Sequence, residues 1–353
     1  MASPHHPRYH PRSSLDRPGA LIAAIPAVLG FVPVQSLVLL TVADGEMGAV
    51  LRADLADAAE RLTQFAELAS ASGAEVGIAV IVDDKGAGCA MCADEHRALA
   101  DALTDELAER GVELVAAHVV AEVAAGARWN CVDGCGNSGL VEDPSSSPTA
   151  VAAVLDGRRL YRRREELVEV VATEDPARTA ALAAVIAEAD APRGARSDSQ
   201  VRGDIEHALA CADQNYRGHA PSDEQAARLA LALTDARVRD TLYALAVGDK
   251  AGEAEALWAA LARCLPDRWR VEALVLLAFS AYSRGDGPLA GISLDAALRC
   301  DPEHKMAGML DQALQAGMRP EQIRELAQTG YRLARRLGVR LPPRRVFGRR
   351  RAG

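Results

Sequence analysis

The stretch from Gly19 to Asp44, GALIAAIPAVLGFVPVQSLVLLTVAD, is the most apolar part of the chain and limits what the rest can do. It reads as a short helix over Leu21 to Leu29, a break at Gly30-Phe31-Val32-Pro33, and a fully apolar strand from Ser36 to Val42. The ring of Pro26 disfavours the α conformation at Ile25, which predicts a kink there. A membrane-spanning helix needs about 20 apolar residues in a row, and Arg12 and Arg17 precede the stretch as they would in a signal peptide. Pro26, Gly30 and Pro33 interrupt any continuous helix, however, and Gln35 and Ser36 would fall near the bilayer midplane. No Ala-x-Ala-like cleavage site follows outside the strand. The expectation is a core element of a cytoplasmic protein with no integral membrane association.

With 353 residues and a formal net charge of -9, the chain can build two domains, each with its own core. The acidic balance argues against broad nucleic-acid binding. Basic charge is nearly all arginine, the lysines being Lys85, Lys250 and Lys305. Seven irregularly spaced cysteines in a chain this size do not form a secreted disulfide framework, which points to a reducing compartment.

Residues 1–15, rich in Pro, His and Arg, read as a disordered tail; His5, His6 and His10 could chelate a metal only as part of it. Asp44-Gly45 is a hairpin signal leading to an antiparallel strand over Met47 to Arg52. Asp54 or Asp57 then caps a helix to Ser70, with Leu55, Ala58, Leu62, Phe65, Ala66 and Ala69 on one face. A buried strand from Val76 to Val82 follows. Asp94 is the expected cap of a helix to Arg110, stopped by Gly111, and Val112 to Val120 is the next strand. Alternating strands and helices imply parallel strands joined by crossovers, and the hairpin makes the sheet mixed. The expected fold is thus an α/β domain over residues 16–192, in which Ala127 to Thr149 is an irregular loop. Arg159 to Arg164 is a basic run opening the helix from Glu165 to Ala172.

A polar linker at 193–203 leads to an all-helical region over 204–331. Within it, Val271 to His304 resembles a tetratricopeptide repeat of about 34 residues. Gly285-Asp286 makes the turn, Ala290 and Ala297 allow close helix approach, and Pro302 ends the second helix. Ala254 to Pro266 reads as half of a preceding repeat and Met306 to Gly330 as another helix pair, predicting a short solenoid with a face for a protein or peptide partner. Residues 332–353 contain no acid and read as a basic, disordered, solubilising tail, the one segment that could touch nucleic acid, and also one that could meet an acidic partner or an anionic membrane.

Several of these segments together resemble a bacterial family of high-GC Gram-positive organisms, domain of unknown function 4192. They are Pro26 to Leu40, Leu51-Arg52-Ala53-Asp54, Arg128-Trp129-Asn130-Cys131 with Cys135, Arg164-Glu165-Glu166-Leu167, and Gly285 to Gly287 with Asp301-Pro302. The resemblance spans about residues 16 to 335 and implies an architecture and a bacterial cytoplasmic setting, with no reaction attached. The family's loop after the tryptophan carries a longer cysteine cluster ending in adjacent cysteines; here Cys135 stands alone before Gly136.

Candidate chemistry lies where strands end. Cys89 and Cys92 follow one strand, and Cys131 and Cys135 follow another. If those strands are parallel neighbours, four thiolates could hold a structural zinc ion at one sheet edge, with His96 as a fifth candidate. A redox pair at Cys89/Cys92 competes, but a helix capped by Asp94 leaves Cys89 several residues outside it. Asp44, Asp83, Asp84 and Glu122 could bind Mg²⁺ and a phosphate, or simply end strands. Ser36 reads as a turn hydroxyl, Arg52 and Asp54 as an ion pair, and Trp129 as a loop anchor or stacking platform; all four are ligand-binding candidates beside Asp83 and Asp84. No Walker loop, Gly-x-Gly-x-x-Gly or His-Glu-x-x-His motif is present. Two functions follow: a scaffold that meets a protein partner on its helical face, or an enzyme with its site at the sheet edge.

Overall fold

In the computed structural model, the described residues are 17–43, 46–155, 159–190 and 196–345. They divide into two units between Arg163 and Arg164, about 30 residues before the expected linker. Ser197, inside that expected linker, caps the helix that follows it by a reciprocal pairing with Gln200. His5, His6, His10, Asp44, Gly45 and the last eight residues of the basic tail lie outside the described residues.

The first unit is built on a six-stranded mixed sheet. The opening apolar stretch forms helix α1 (Pro18–Leu29), which starts earlier than expected because Pro18 suits the first helical turn. Pro26 lies inside it, and Gly30 closes it in the left-handed conformation at φ 77°. Strand β1 (Ser36–Ala43) is buried over Ser36 to Val42, as its unbroken apolar run requires. Strand β2 (Glu46–Asp54) pairs with it antiparallel. Helix α2 (Ala58–Ala71), strand β3 (Val76–Val82), helix α3 (Ala90–Ala108) and strand β4 (Glu113–Val120) follow. Two short strands, β5 (Arg128–Cys131) and β6 (Ser138–Leu140), lie in the segment expected to be an irregular loop. They are too short and glycine-rich to show a period. Helix α4 (Pro148–Leu155) packs on α1.

Strand order is β2-β1-β3-β4-β5-β6, with only β3 and β4 parallel. The crossover from β2 through α2 thus reaches a parallel strand, but β1 lies between them. Leu37, Leu39, Ile81 and Val119 face a core shared with Leu62 and Phe65 of α2 and Leu103 and Leu107 of α3. Alternation puts His118 and Trp129 on the opposite face.

Helix α3 corrects the sequence reading. It begins at Ala90 with Cys89 as N-cap, so Asp94 lies one turn inside it. The turn after β3 is organised by Asp83 rather than by a cap at Asp94, as described below.

The second unit is helical: α5 (Arg164–Val168), α6 (Pro176–Ala189), α7 (Asp198–Tyr216), α8 (Asp223–Leu233), α9 (Ala236–Leu242), α10 (Ala251–Cys264), α11 (Asp267–Arg284), α12 (Gly287–Cys300), α13 (Lys305–Gln315) and α14 (Pro320–Leu337). The α11–α12 hairpin forms as its residues dictate. Gly285 takes φ 86°, Asp286 accepts from the Leu289 amide at 3.1 Å, and Ala290 and Ala297 are fully buried. Every residue of α11 from Val271 to Ser283 is buried. Helices α8, α10, α12, α13 and α14 pack around it, so the unit closes over α11 instead of leaving an open face along it. The basic tail begins later than expected. Helix α14 runs through Leu337, and residues up to Arg345 dock by main-chain bonds: Asp249 N to Pro343 O at 2.9 Å and Arg345 N to Val247 O at 2.8 Å. No helix of the described residues is long and apolar enough to cross a membrane.

Candidate functional site

Because β1 is antiparallel to both neighbours, its first residue meets the last residues of each: Ser36 pairs with Asp54 and with Val82. This register brings Ser36, Arg52, Asp54, Asp83 and Asp84 to one sheet edge. Ser36 donates to Val34 O at 2.7 Å and accepts from Arg52 Nε at 2.9 Å. Arg52 also bonds Asp54 at 2.6 Å and lies over the Phe31 ring at 5.9 Å. The turn-hydroxyl and ion-pair readings of these residues describe what they do here.

Asp83 is the centre of the edge and is 7% exposed. It accepts from Gln35 Nε2 at 2.8 Å, from the amides of Lys85 at 3.0 Å and Gly86 at 2.9 Å, and pairs with His96 Nε2 at 2.9 Å. Burial works against its charge, but these hydrogen bonds overcome the cost and hold its pKa at about 2. Gln35, at φ 44°, is the one non-glycine residue with positive φ among those described, and it reaches both Asp83 and Asp84. Gly86 is dictated by space: a Cβ there would stand 2.1 Å from Asp83 Oδ2 and 3.0 Å from Cys92 Cβ. Asp83 therefore shapes the turn that delivers Cys89 and Cys92 to the start of α3. Both thiols are part-exposed, and Met91 between them is 82% exposed. The Cys92 amide, the Cys92 thiol and the Met91 amide lower the pKa of Cys89. Hydrogen bonding to Cys89, then burial, raises that of Cys92.

The two cysteine pairs do not form one ligand set, which corrects the four-thiolate zinc site. Strand β5 runs antiparallel to β4, so Cys131 lies opposite His118, two positions back from the edge where β3 and β4 end. It is also on the face away from α3. Among the described residues, the metal-ligating atoms that all come within 4.8 Å of one another belong to Cys131, Asp133 and Cys135.

Those three groups line a cavity of about 410 Å³ with Pro18, His118 and Trp129. Trp129 stands edge-on to His118, ring centroids 4.9 Å apart, and Gly139 packs flat against its indole, where a Cβ would come within 2.9 Å. It anchors the β5–β6 hairpin on the sheet face that carries His118. Burial, then hydrogen bonds to Asp133 and Cys135, push the Cys131 thiol up to about 12. Bonds from the Cys135 thiol and amide and from the Cys131 thiol hold Asp133 down at about 2. Burial lowers the pKa of His118, against an opposing pull from the Asp133 carboxylate. Sequence reasoning did not single out His118, Asp133, Gln35 or Gly86. The first two carried a signal, a histidine in an apolar strand and an aspartate midway between two cysteines.

The family model described as "Domain of unknown function (DUF4192)" matches residues 18–321. The chain belongs to this family. No curated protein and no solved structure matches it. Both clusters of this DUF4192 chain, around Asp83 and around Cys131, fall within the matched residues.

Proposed function

We propose that the first unit carries a dithiol–disulfide exchange site, Cys89 and Cys92, at the sheet edge held by Asp83. The observation that carries this reading is the placement of Cys89 as N-cap of a 19-residue helix with Cys92 in its first turn. A helix N-terminus favours a thiolate, the Cys92 and Met91 amides hydrogen-bond Cys89, and Cys92 in the first turn is placed to resolve a mixed disulfide on it. The Cys89 thiolate attacks a sulfur of a partner disulfide, forming a mixed disulfide and releasing the partner's other sulfur as thiolate. Cys92 gives its proton to solvent and attacks Cys89, closing the Cys89–Cys92 disulfide and expelling the partner's second thiolate. Two electrons pass to the partner, whose thiolates take up protons. Met91 offers an apolar contact for a protein or peptide partner beside the thiols. A reducing cytoplasm, as the cysteine usage suggests, would return the pair to the dithiol.

The test treats the reduced full chain with oxidised glutathione and maps the products by mass spectrometry. Cys89 should be modified first, and the Cys92→Ser variant should trap a mixed disulfide on Cys89. Prior oxidation of Cys131, Cys135 or Cys300, or an untrapped Cys92→Ser variant, removes the reading.

A second reading, partner binding by the helical unit, has one observation in its favour. Residues 340–345 lie extended along the segment before α10, where Tyr331 OH donates to Pro342 O at 2.9 Å and a cavity of about 330 Å³ is lined by Leu209, Leu245 and Lys250. An extended proline- and arginine-bearing peptide of a partner would use the same main-chain bonds, beside a helical hairpin similar to a tetratricopeptide repeat. A chain truncated after Leu337 should bind a synthetic peptide of residues 338–353 by fluorescence polarisation. A folded truncation that does not bind it counts against this reading.

A further inference from the structure

We propose that Cys131, Asp133 and Cys135, with His118 from the facing strand, bind a thiophilic divalent metal ion, and that zinc is the ion this donor set fits. This goes beyond dithiol exchange and uses different residues. The argument starts from strand register. Cys131 and His118 are directly opposite on β5 and β4, and such pairs place their Cβ atoms about 4.5–5.5 Å apart on one face. The chain then turns sharply. Asp133 Oδ1 accepts the Cys135 amide at 2.9 Å, which folds Cys135 back. The ligand atoms of Cys131, Asp133 and Cys135 consequently gather within 4.8 Å of one another.

The independent observation is His118. It is 5% exposed, lines the same cavity, and its Nδ1 is buried without a hydrogen-bond partner. Leaving a buried polar atom unpaired costs about 1–3 kcal/mol, a penalty rarely tolerated without a ligand or water to relieve it. The indole Nε1 of Trp129, lining the same cavity, is likewise buried and unpartnered. The thiols, carboxylate and imidazole line an open cavity, so an ion can enter. Two thiolates, one imidazole and one carboxylate make a tetrahedral set of the kind zinc takes, with sulfur at about 2.3 Å and nitrogen at about 2.0–2.1 Å. Cys131, Asp133 and Cys135 hold three positions already gathered, and His118, which lines the same cavity outside that 4.8 Å group, supplies the fourth as its ring closes on the ion, which makes the ion structural. It pins the Cys131–Ser138 turn between β5 and β6.

The test is a titration of the reduced full chain with Co²⁺ alone, followed by Zn²⁺ competition. Because Cys131 and His118 pack into the sheet, the exposed Cys135 and Asp133 carry the decisive variants. One Co²⁺ per chain should bind with thiolate charge-transfer bands and the strong visible absorption of a tetrahedral site, and Zn²⁺ should abolish both. Cys135→Ser and Asp133→Ala should each weaken binding by more than the 10–100-fold that loss of an outer-shell partner costs. The Cys89→Ser/Cys92→Ser double variant should bind unchanged, so this proposal and the exchange reading fail separately. Undiminished binding by Cys135→Ser, loss of binding in the Cys89/Cys92 variant, or a Cys131–Cys135 disulfide that persists under reducing conditions would overturn the assignment.

Discussion

Asp83→Ala should destabilise the first unit by about 3–5 kcal/mol at neutral pH, one of the largest effects of any single substitution at the sheet edge. The carboxylate accepts from Gln35, the Lys85 and Gly86 amides and His96, so its removal leaves three donors without an acceptor and Gln35 with Asp84 alone. Each unpaired buried donor costs about 1–3 kcal/mol, and partial access of water to Gln35 and Lys85 keeps the total below the full sum. The effect should also depend on pH, with a definite sign. The folded pKa of Asp83, about 2, is below the unfolded value of 3.8. Its contribution is therefore complete above the unfolded pKa and is lost as pH falls through the folded one. Urea midpoints of the parent chain and the variant should differ most near neutrality and converge toward about pH 2. A constant gap from pH 7 to about 2 would show that Asp83 is not the ionised acceptor described.

The sequence carried the elements of the first unit well and their order poorly. Ser36 to Val42 and Val76 to Val82 are unbroken apolar runs, and a strand buried on both faces can hardly be written otherwise. That β1 inserts between β2 and β3 is a long-range pairing to which no local period points. Yet that pairing alone puts Ser36 beside Asp83 and turns scattered candidates into one edge. The start of α3 is hidden in the sequence for a related reason. Asp94 has the side chain of a cap, but Asp83, from the preceding strand end, holds the turn and starts the helix one turn earlier.

The sites divide along the same line. Ser36, Arg52, Asp54, Asp83 and Asp84 were each visible as polar residues at strand ends, and the structure joins them. The four-cysteine set requires parallel neighbours. It fails because β5 returns antiparallel and carries Cys131 away from Cys89. Spacing along the chain could not reveal that His118 faces Cys131, since register between strands is set by pairing rather than by sequence distance.

Gly330→Ala provides a case where local and tertiary effects oppose each other. Gly330 lies in the middle of α14, where glycine is about 0.5–1 kcal/mol worse than alanine. Helix propensity alone thus predicts that the substitution stabilises. The packing predicts the reverse. A Cβ at Gly330 would stand 2.7 Å from Thr241 O, 2.9 Å from Asp240 O and 2.8 Å from Ala244 Cβ. Two of these atoms are backbone carbonyls at the end of α9, which cannot rotate away, and α14 also packs against the turn that contains Ala244. Forcing a methyl into such a contact costs about 1–3 kcal/mol, more at fixed backbone, and outweighs the gain in propensity. The thermal midpoint of the helical unit should fall, and by more than in Gly308→Ala, where a Cβ would meet nothing within 4 Å. A rise in the midpoint of Gly330→Ala would mean that α9 and α14 do not approach this closely.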